Sequence, residues 1–144
     1  MSEPVKVLQF ICPTGFYGAE RWILTLAKNL DPAKVQCDLA VTVEPNLREL
    51  ELEKQYRLLV GKTHKIEMSG RFDIGVIRRL CNVIRSEGYQ IIHTHGYKSD
   101  ILGLIAARLT GIRALSTPHG FENADDWKLK TYIGLGNRFL KWFD

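Results

Sequence analysis

Three histidines end or follow two neighbouring predicted strands, and imidazole can hydrogen-bond a ligand, move a proton or bind a metal. His93 and His95 lie in the segment QIIHTH, and His119 follows the segment IRALSTP. Strand residues two apart share a face, so His93 and His95 are predicted to point the same way. We expect His93 to pack under a helix. We expect His95, with the nearby Lys98, to reach a ligand at the strand exit.

A glycine loop, CPTGFYGAER, follows the first apolar segment of the chain. Gly15 and Gly18 allow the backbone to approach a ligand closely, and the N-terminus of the next helix offers free N–H donors and partial positive charge. This combination suits a phosphate group. The alternative is a turn in which the glycines serve only to reverse the chain. At the other strand exit, Gly120 permits a sharp turn directly after His119.

A metal site is the competing reading of the histidine pair, because His-x-His on a strand can chelate zinc. No cysteine is close in sequence to His93 and His95, and Asp100 falls in the following predicted helix. We therefore expect no metal. The isolated cysteines, which all lie in apolar segments, are expected to be buried reduced thiols; they are Cys12, Cys37 and Cys81.

Apolar strands alternate with amphipathic helices along the chain, a pattern that predicts right-handed βαβ units and a parallel sheet. Predicted strands cover residues 5–11, 35–43, 65–68, 90–94 and 112–117. Predicted helices cover residues 19–30, 46–60, 72–84, 100–109 and 125–143. Ser99 is the expected N-cap of the fourth helix, and Gly88 and Gly111 are expected to end the third and fourth. The fold class is α/β, a doubly wound, Rossmann-like parallel sheet.

The topology predicts where a ligand binds. With the common strand order 3-2-1-4-5, the order reverses between the first and fourth strands, and ligands bind outside the carboxyl ends of the strands at that point. The glycine loop and both histidine segments are expected to meet there.

Composition limits the classes of protein. The 144 residues are 45% hydrophobic and 25% charged, which fits one globular domain. The net charge of +4 permits anionic ligands without demanding nucleic acid. No apolar run reaches the ~18 residues of a membrane span, and the first residues do not form a signal peptide, so a cytoplasmic protein is expected.

Several ordered motifs give the chain a family resemblance. The motifs are GAER at 18–21, LAKNL at 26–30, QIIHTH at 90–95, AAR at 106–108 and HG at 119–120. In this order and spacing they resemble the N-terminal domain of the family 4 GT-B glycosyltransferases. One departure is Tyr17, which stands where the family usually has the first of two adjacent glycines.

The resemblance implies that residues 1–144 form the single acceptor-side half of a GT-B fold, with the C-terminal nucleotide-sugar domain absent from this chain. The implied activity is retaining, metal-independent and cofactor-free transfer of a sugar. The donor is a nucleotide sugar and the acceptor a saccharide or lipid-linked molecule, in cell-envelope polysaccharide synthesis. Gly18, with Gly15, would line the donor phosphate. His119 would be the catalytic residue beside the transferred sugar. The acceptor-side residues would be His95, Lys98 and Gly120.

Two other readings remain open. A dinucleotide-binding Rossmann protein needs Gly-x-Gly-x-x-Gly, but Pro13 stands at the position of the first glycine. A non-catalytic binding module derived from half a transferase is also compatible with 144 residues. Residues 71–85 carry a net charge of +3. We therefore expect peripheral contact with the inner face of an anionic membrane through Arg78, Arg79 and Arg85, with help from the helix predicted at 125–143.

Overall fold

The computed structural model describes residues 2–46 and 49–119. Five strands alternate with four helices in this part of the chain. The strands are β1 (Val5–Ile11), β2 (Val35–Val43), β3 (Thr63–Glu67), β4 (Ile91–His95) and β5 (Arg113–Thr117). The helices are α1 (Gly18–Asn29), α2 (Glu51–Leu59), α3 (Gly75–Glu87) and α4 (Tyr97–Thr110). The helix predicted at 125–143 lies outside the described residues.

All five strands are parallel and lie in the order β3-β2-β1-β4-β5. The predicted fold class and strand order are therefore confirmed. The order reverses between β1 and β4, so the carboxyl ends of these two strands open onto a shared crevice.

An apolar layer lies on each face of the sheet, because neighbouring side chains of a strand point to opposite faces. On one face, α3 and α4 pack against strand residues; the buried side chains there include Leu8, Phe10, Ile66, Leu80, Ile84, Ile92 and Ala106. On the other face, α1 and α2 cover a second set, which includes Ile11, Ile23, Leu24, Leu39, Val41, Leu52 and Tyr56.

Several helix boundaries differ from the predicted ones: α2 starts at Glu51 rather than residue 46, α3 ends at Glu87 rather than residue 84, and the starts of α3 and α4 also differ. The prediction that α4 begins after Ser99 is wrong, because Gly96 at φ 89° ends β4 and the helix starts at Tyr97. Inside the helix, the Ser99 hydroxyl instead accepts the Cys12 N–H at 2.9 Å. The third helix starts at Gly75 rather than residue 72, because the Asp73 carboxylate accepts the Gly75 N–H at 2.8 Å and holds the preceding turn.

The expected helix C-termini are confirmed. Gly88 and Gly111 adopt the left-handed conformation, with φ of 71° and 73°. Each lets the chain leave its helix directly toward the next strand. The expectation for the cysteines is correct for Cys37 and Cys81, which are buried, but Cys12 is only half-buried.

Candidate functional site

The strand register brings the predicted segments together at one edge of the sheet. Ile11 pairs with His95, and His95 pairs with Thr117. The residues that follow these three positions therefore leave the sheet side by side. The Cys12–Ser99 hydrogen bond ties the loop after β1 to the first turn of α4.

A cluster of aromatic rings occupies this edge on the α1 side of the sheet. The ring centroids of His93 and His95 are 4.4 Å apart, and those of His95 and His119 are 5.1 Å apart. The Trp22 indole of α1 lies 5.4–5.7 Å from all three imidazoles. The prediction that His93 and His95 share a face is confirmed, and the third histidine joins them.

Of the two expectations for the strand histidines, the one for His93 is correct and the one for His95 is wrong. His93 packs under α1, and its Nε2 lies 2.7 Å from Thr117 Oγ1. His95, however, is 2% exposed. It was expected to reach a ligand at the strand exit, but Trp22 and His119 pack against it.

Burial controls the charge of both strand histidines. Loss of solvent, together with a smaller effect of the neighbouring histidines, lowers the pKa of His93 to about 4 and the pKa of His95 to about 2. Both rings are therefore neutral at physiological pH. Each neutral ring carries one N–H donor and one bare nitrogen.

His119 is the exposed member of the cluster. Its Nε2 lies 2.9 Å from Nδ1 of His95. Partial burial lowers its pKa, while the carboxylates of Glu20 and Asp100 act in the opposite direction. Among the histidines of this edge, His119 is thus the one placed to touch a bound molecule.

The glycine loop leads directly into α1, whose first residue is Gly18. A Cβ atom on Gly18 would meet no described atom within 4 Å, whereas one on Gly15 would lie 2.3 Å from the Tyr17 ring. At Gly15, the ring of exposed Tyr17 occupies the space that a side chain would take. At Gly18, the protein itself leaves space for a side chain, so this is the position where a ligand can approach the helix N-terminus.

An acidic side chain orders this helix start. The Glu20 carboxylate accepts the Tyr17 N–H at 2.9 Å and is 4% exposed. Two residues further along α1, the Trp22 ring lies 5.4 Å from the ring of His119, so the start of this helix and the exposed histidine lie at the same edge of the sheet.

A cleft of about 440 Å³ lies beyond the carboxyl ends of β1, β2 and β3. Lys98 lines this cleft together with Arg71 and Glu44, so two cations face one carboxylate. The remaining lining residues are Cys12, Pro13, Thr14, Thr42, Pro45, Met68, Ser69 and Gly70. Lys98 is thus assigned to the cleft, while Gly120 lies outside the described residues.

Three buried or partly buried residues of the site were missed by sequence reasoning. Gln9 is 1% exposed and its Oε1 lies 2.5 Å from Nε2 of His95. Trp22 covers the imidazoles, and Asp100 accepts hydrogen bonds from Thr94 and Ser116 at 2.5 Å and 2.8 Å. A lone glutamine in the apolar strand VKVLQFI was the available signal for Gln9. Within residues 2–46 and 49–119, no group of acidic, cysteine or histidine side chains is arranged to hold a metal ion.

The five-stranded parallel sheet with flanking helices is the Rossmann-like fold that GT-B glycosyltransferases share. The sequence agrees with this class of protein. The sequence model of Glycosyltransferase Family 4 matches residues 16–144, and the chain belongs to that family.

Known proteins similar to this chain carry the same fold or motifs. HepE from Anabaena, solved in complex with UDP, superposes with a TM-score of 0.75 at 11% identity, covering 96% of this chain and 36% of HepE. MurG from Acinetobacter baumannii superposes with a TM-score of 0.64 at 19% identity, covering 90% of this chain and 39% of MurG.

A sequence relative comes from Escherichia coli. It is the UDP-Gal:alpha-D-GlcNAc-diphosphoundecaprenol alpha-1,3-galactosyltransferase, which is 44% identical over 50 residues. These residues are 34% of this chain and 13% of the relative. The chain thus spans little more than a third of the solved structures, and the match covers a smaller part of the curated relative.

Proposed function

We propose that this chain forms the acceptor-side half of a retaining glycosyltransferase that moves a sugar from a nucleotide sugar to a lipid-linked saccharide of the cell envelope. The observation that carries the proposal is that an exposed histidine, His119, lies against Trp22 of α1, near the N-terminus of that helix at the sheet reversal. The second half, which would hold the nucleotide, lies outside residues 1–144. This division agrees with the share of HepE that the chain covers.

The diphosphate of the donor is assigned to the N-terminus of α1. Gly18 leaves room for a phosphate beside N–H groups that have no partner within a helix. His119 then lies beside the transferred sugar and hydrogen-bonds a sugar hydroxyl. No metal or cofactor takes part in this proposal; the leaving diphosphate is stabilised by backbone N–H groups and by cations of the second half.

The acceptor is assigned to the cleft. Lys98 and Arg71 together offer two positive charges against Glu44, which favours an acceptor that carries a diphosphate. The acceptor named for the Escherichia coli relative, GlcNAc-diphosphoundecaprenol, has this chemistry. It is the first acceptor to test.

Transfer is tested with the complete protein that contains this chain, supplied with UDP-galactose, other UDP-sugars and GlcNAc-diphosphoundecaprenol. We expect transfer with retention of the anomeric configuration, read by NMR of the product. The isolated 144-residue chain should show no transfer and no measurable binding of UDP. Transfer by the isolated chain would overturn the half-site assignment. Inactivity of the complete protein with every donor would favour a binding module, and tight NADH binding would favour the dinucleotide reading.

A second surface supports contact with a membrane. Phe72 and Ile74 are large apolar side chains that are 82% and 79% exposed. They lie next to an apolar groove between α3 and α4, which Arg78 and Arg85 also line. We propose that this face rests on an anionic bilayer, where apolar side chains enter the interface and arginines bind lipid headgroups. In the described residues, no helix is long and apolar enough to cross a membrane.

The arginines predicted for this contact are not equivalent. Arg79 donates to the Asp73 carboxylate at 2.9 Å and to the Glu67 carbonyl at 2.8 Å, so its charge is partly neutralised. Arg85 donates to the Leu109 carbonyl at 3.0 Å. That carbonyl is neutral, so this contact does not offset the positive charge of Arg85. Arg78 is exposed and is therefore the arginine best placed to meet a lipid phosphate.

Co-sedimentation with vesicles tests the membrane proposal. Arg78→Glu should release the complete protein from anionic vesicles at low salt. Lys54→Glu, the same charge reversal on an exposed position of α2 on the opposite face, should not. Equal binding to neutral and anionic vesicles, or no binding at low salt, would rule the proposal out.

A further inference from the structure

A line of hydrogen bonds runs from the middle of β1 to the exposed histidine. The Gln9 amide nitrogen donates to Cys37 Sγ at 3.4 Å, and its Oε1 lies 2.5 Å from His95 Nε2. His95 Nδ1 lies 2.9 Å from His119 Nε2. We call Gln9, His95 and His119 the relay. It joins a residue that is 1% exposed to one that faces solvent.

The chemistry of each atom gives the relay a direction. An amide oxygen can only accept a hydrogen bond, so the hydrogen on His95 must be on Nε2. The His95 ring is neutral because burial lowers its pKa to about 2, and it therefore carries no second hydrogen. Its Nδ1 must accept, so His119 must donate from Nε2.

The direction determines what the exposed ring can offer. Burial lowers the pKa of His119 as well, although Glu20 and Asp100 oppose the shift. The neutral ring with its hydrogen on Nε2 has a lone pair on Nδ1. Within the described residues, that nitrogen has no hydrogen-bond partner. Trp22 packs against both rings, tilted on His95 and edge-on to His119, which leaves the two imidazoles less room to rotate.

We propose that Gln9 and His95 are positioning residues that hold His119 in its Nε2–H tautomer, so that Nδ1 is a hydrogen-bond acceptor at the sugar site. That the ligand is a sugar rests on the proposed function. Given that function, the sugar must present a free hydroxyl to His119, because only a donor matches a bare ring nitrogen. A sugar that carries an ether or no oxygen at that position loses the interaction.

The tautomers of the histidines can be measured directly. The chain has four histidines, so two-bond ¹H–¹⁵N NMR spectra of ¹⁵N-histidine-labelled protein can be assigned by single substitutions. We expect the Nε2–H form for both His95 and His119 at neutral pH. In Gln9→Met, His95 has no acceptor at Nε2, so both rings should change to the Nδ1–H form. Gln36→Met is the matched control, since that amide bonds Asp38 in β2 and no histidine.

A second variant keeps the proposal testable if Gln9→Met does not fold. His95→Asn places a carboxamide oxygen near the position of Nδ1, so it can accept from His119 and should preserve the Nε2–H form. His95→Ala should leave a mixture of tautomers.

An Nδ1–H form of His119 in the unaltered protein would overturn the proposal, as would tautomers that do not respond to Gln9→Met. The measurement uses no sugar, so it does not depend on the transferase assignment. Failure of transfer alone would overturn the proposed function and leave the relay standing.

Discussion

Two buried hydrogen-bond networks of the sheet contain a histidine, but they end differently. The relay starts at Gln9 and ends on exposed His119. The inner network lies among β2, β3 and Tyr89, two positions before β4. Its Tyr89 hydroxyl donates to Asp38 Oδ2 at 2.7 Å and accepts from His64 Nε2 at 2.8 Å.

The comparison separates a structural histidine from one that can act on a ligand. Asp38 also receives the Gln36 amide at 3.0 Å, so the hydrogen bonds of the inner network run between groups of the fold. Tyr89 is 3% exposed and Asp38 is 4% exposed. The relay instead reaches a strand exit and leaves one nitrogen for a ligand. Direction and end point, rather than the presence of a histidine, distinguish the two networks.

Removing the end of the relay should give the largest effect on transfer. We expect His119→Ala to reduce kcat of the complete enzyme on the order of 10²–10³-fold, as when one positioned hydrogen-bonding group is lost. The melting temperature should change little because the side chain is exposed. Steady-state kinetics and thermal unfolding of the same sample measure both. A loss of rate that only follows the folded fraction would make His119 structural.

Closing the space beside the relay should have the next largest effect. In Gly18→Ala, the added Cβ meets no described atom but intrudes on a phosphate at the helix N-terminus. We expect transfer to fall roughly 10-fold to 10²-fold, since small displacements of reacting groups cost this much. The free energy of unfolding should stay the same or rise by less than about 1 kcal/mol.

Gly61→Ala is the matched control, because its Cβ would make only an ordinary contact at 3.7 Å and it lies far from the strand exits. Both alanine variants are assayed for kcat and for denaturant unfolding. Equal activities for the two variants would show that no ligand approaches Gly18.

Breaking the inner network should lower the stability of the protein and leave the rate of transfer unchanged. Tyr89→Phe removes the hydroxyl that connects Asp38 with His64. We expect the free energy of unfolding to fall by about 1–3 kcal/mol, because buried polar groups lose their partner. The kcat of the folded enzyme should not change. Denaturant unfolding and steady-state kinetics measure the two outcomes. A drop in kcat with normal stability would show that the inner network also acts on the ligand site.

Lowering the pH should reduce the free energy of unfolding gradually, because the buried neutral histidines of both networks resist protonation. Burial lowers the pKa of all four histidines from the ordinary 6.5, to about 4 for His93 and about 2 for His95. The unfolded chain therefore binds protons first as the pH falls. The stabilisation from neutral burial is complete above pH 6.5 and declines toward the folded pKa values, by up to about 1.4 kcal/mol per pH unit for each fully buried ring.

Urea unfolding at a series of pH values between neutrality and mild acid measures this slope. His95→Asn should make the slope shallower, because one neutral buried histidine is gone. A free energy of unfolding that does not change across this range would contradict the burial of these rings.

The prediction of the strand order, and with it of the exits at which the site lies, rests on the common order of doubly wound sheets. The alternation of apolar segments and amphipathic helices predicted the fold class and the order of its elements. These features depend on residues close in sequence: the 3.6-residue and two-residue periods, and glycines such as Gly88 and Gly111 that end helices. The placement of His119 after the fifth strand follows from the same local pattern.

Only the tertiary structure decided which histidine is accessible and where α4 begins. His95 is buried because Gln9, 86 positions away, and Trp22 of α1 enclose it. Ser99 lies inside α4 and accepts the Cys12 N–H across 87 positions, after Gly96 has already turned the chain. Local periodicity carries no information about such contacts, because they form only when distant strands pair and a helix packs across them.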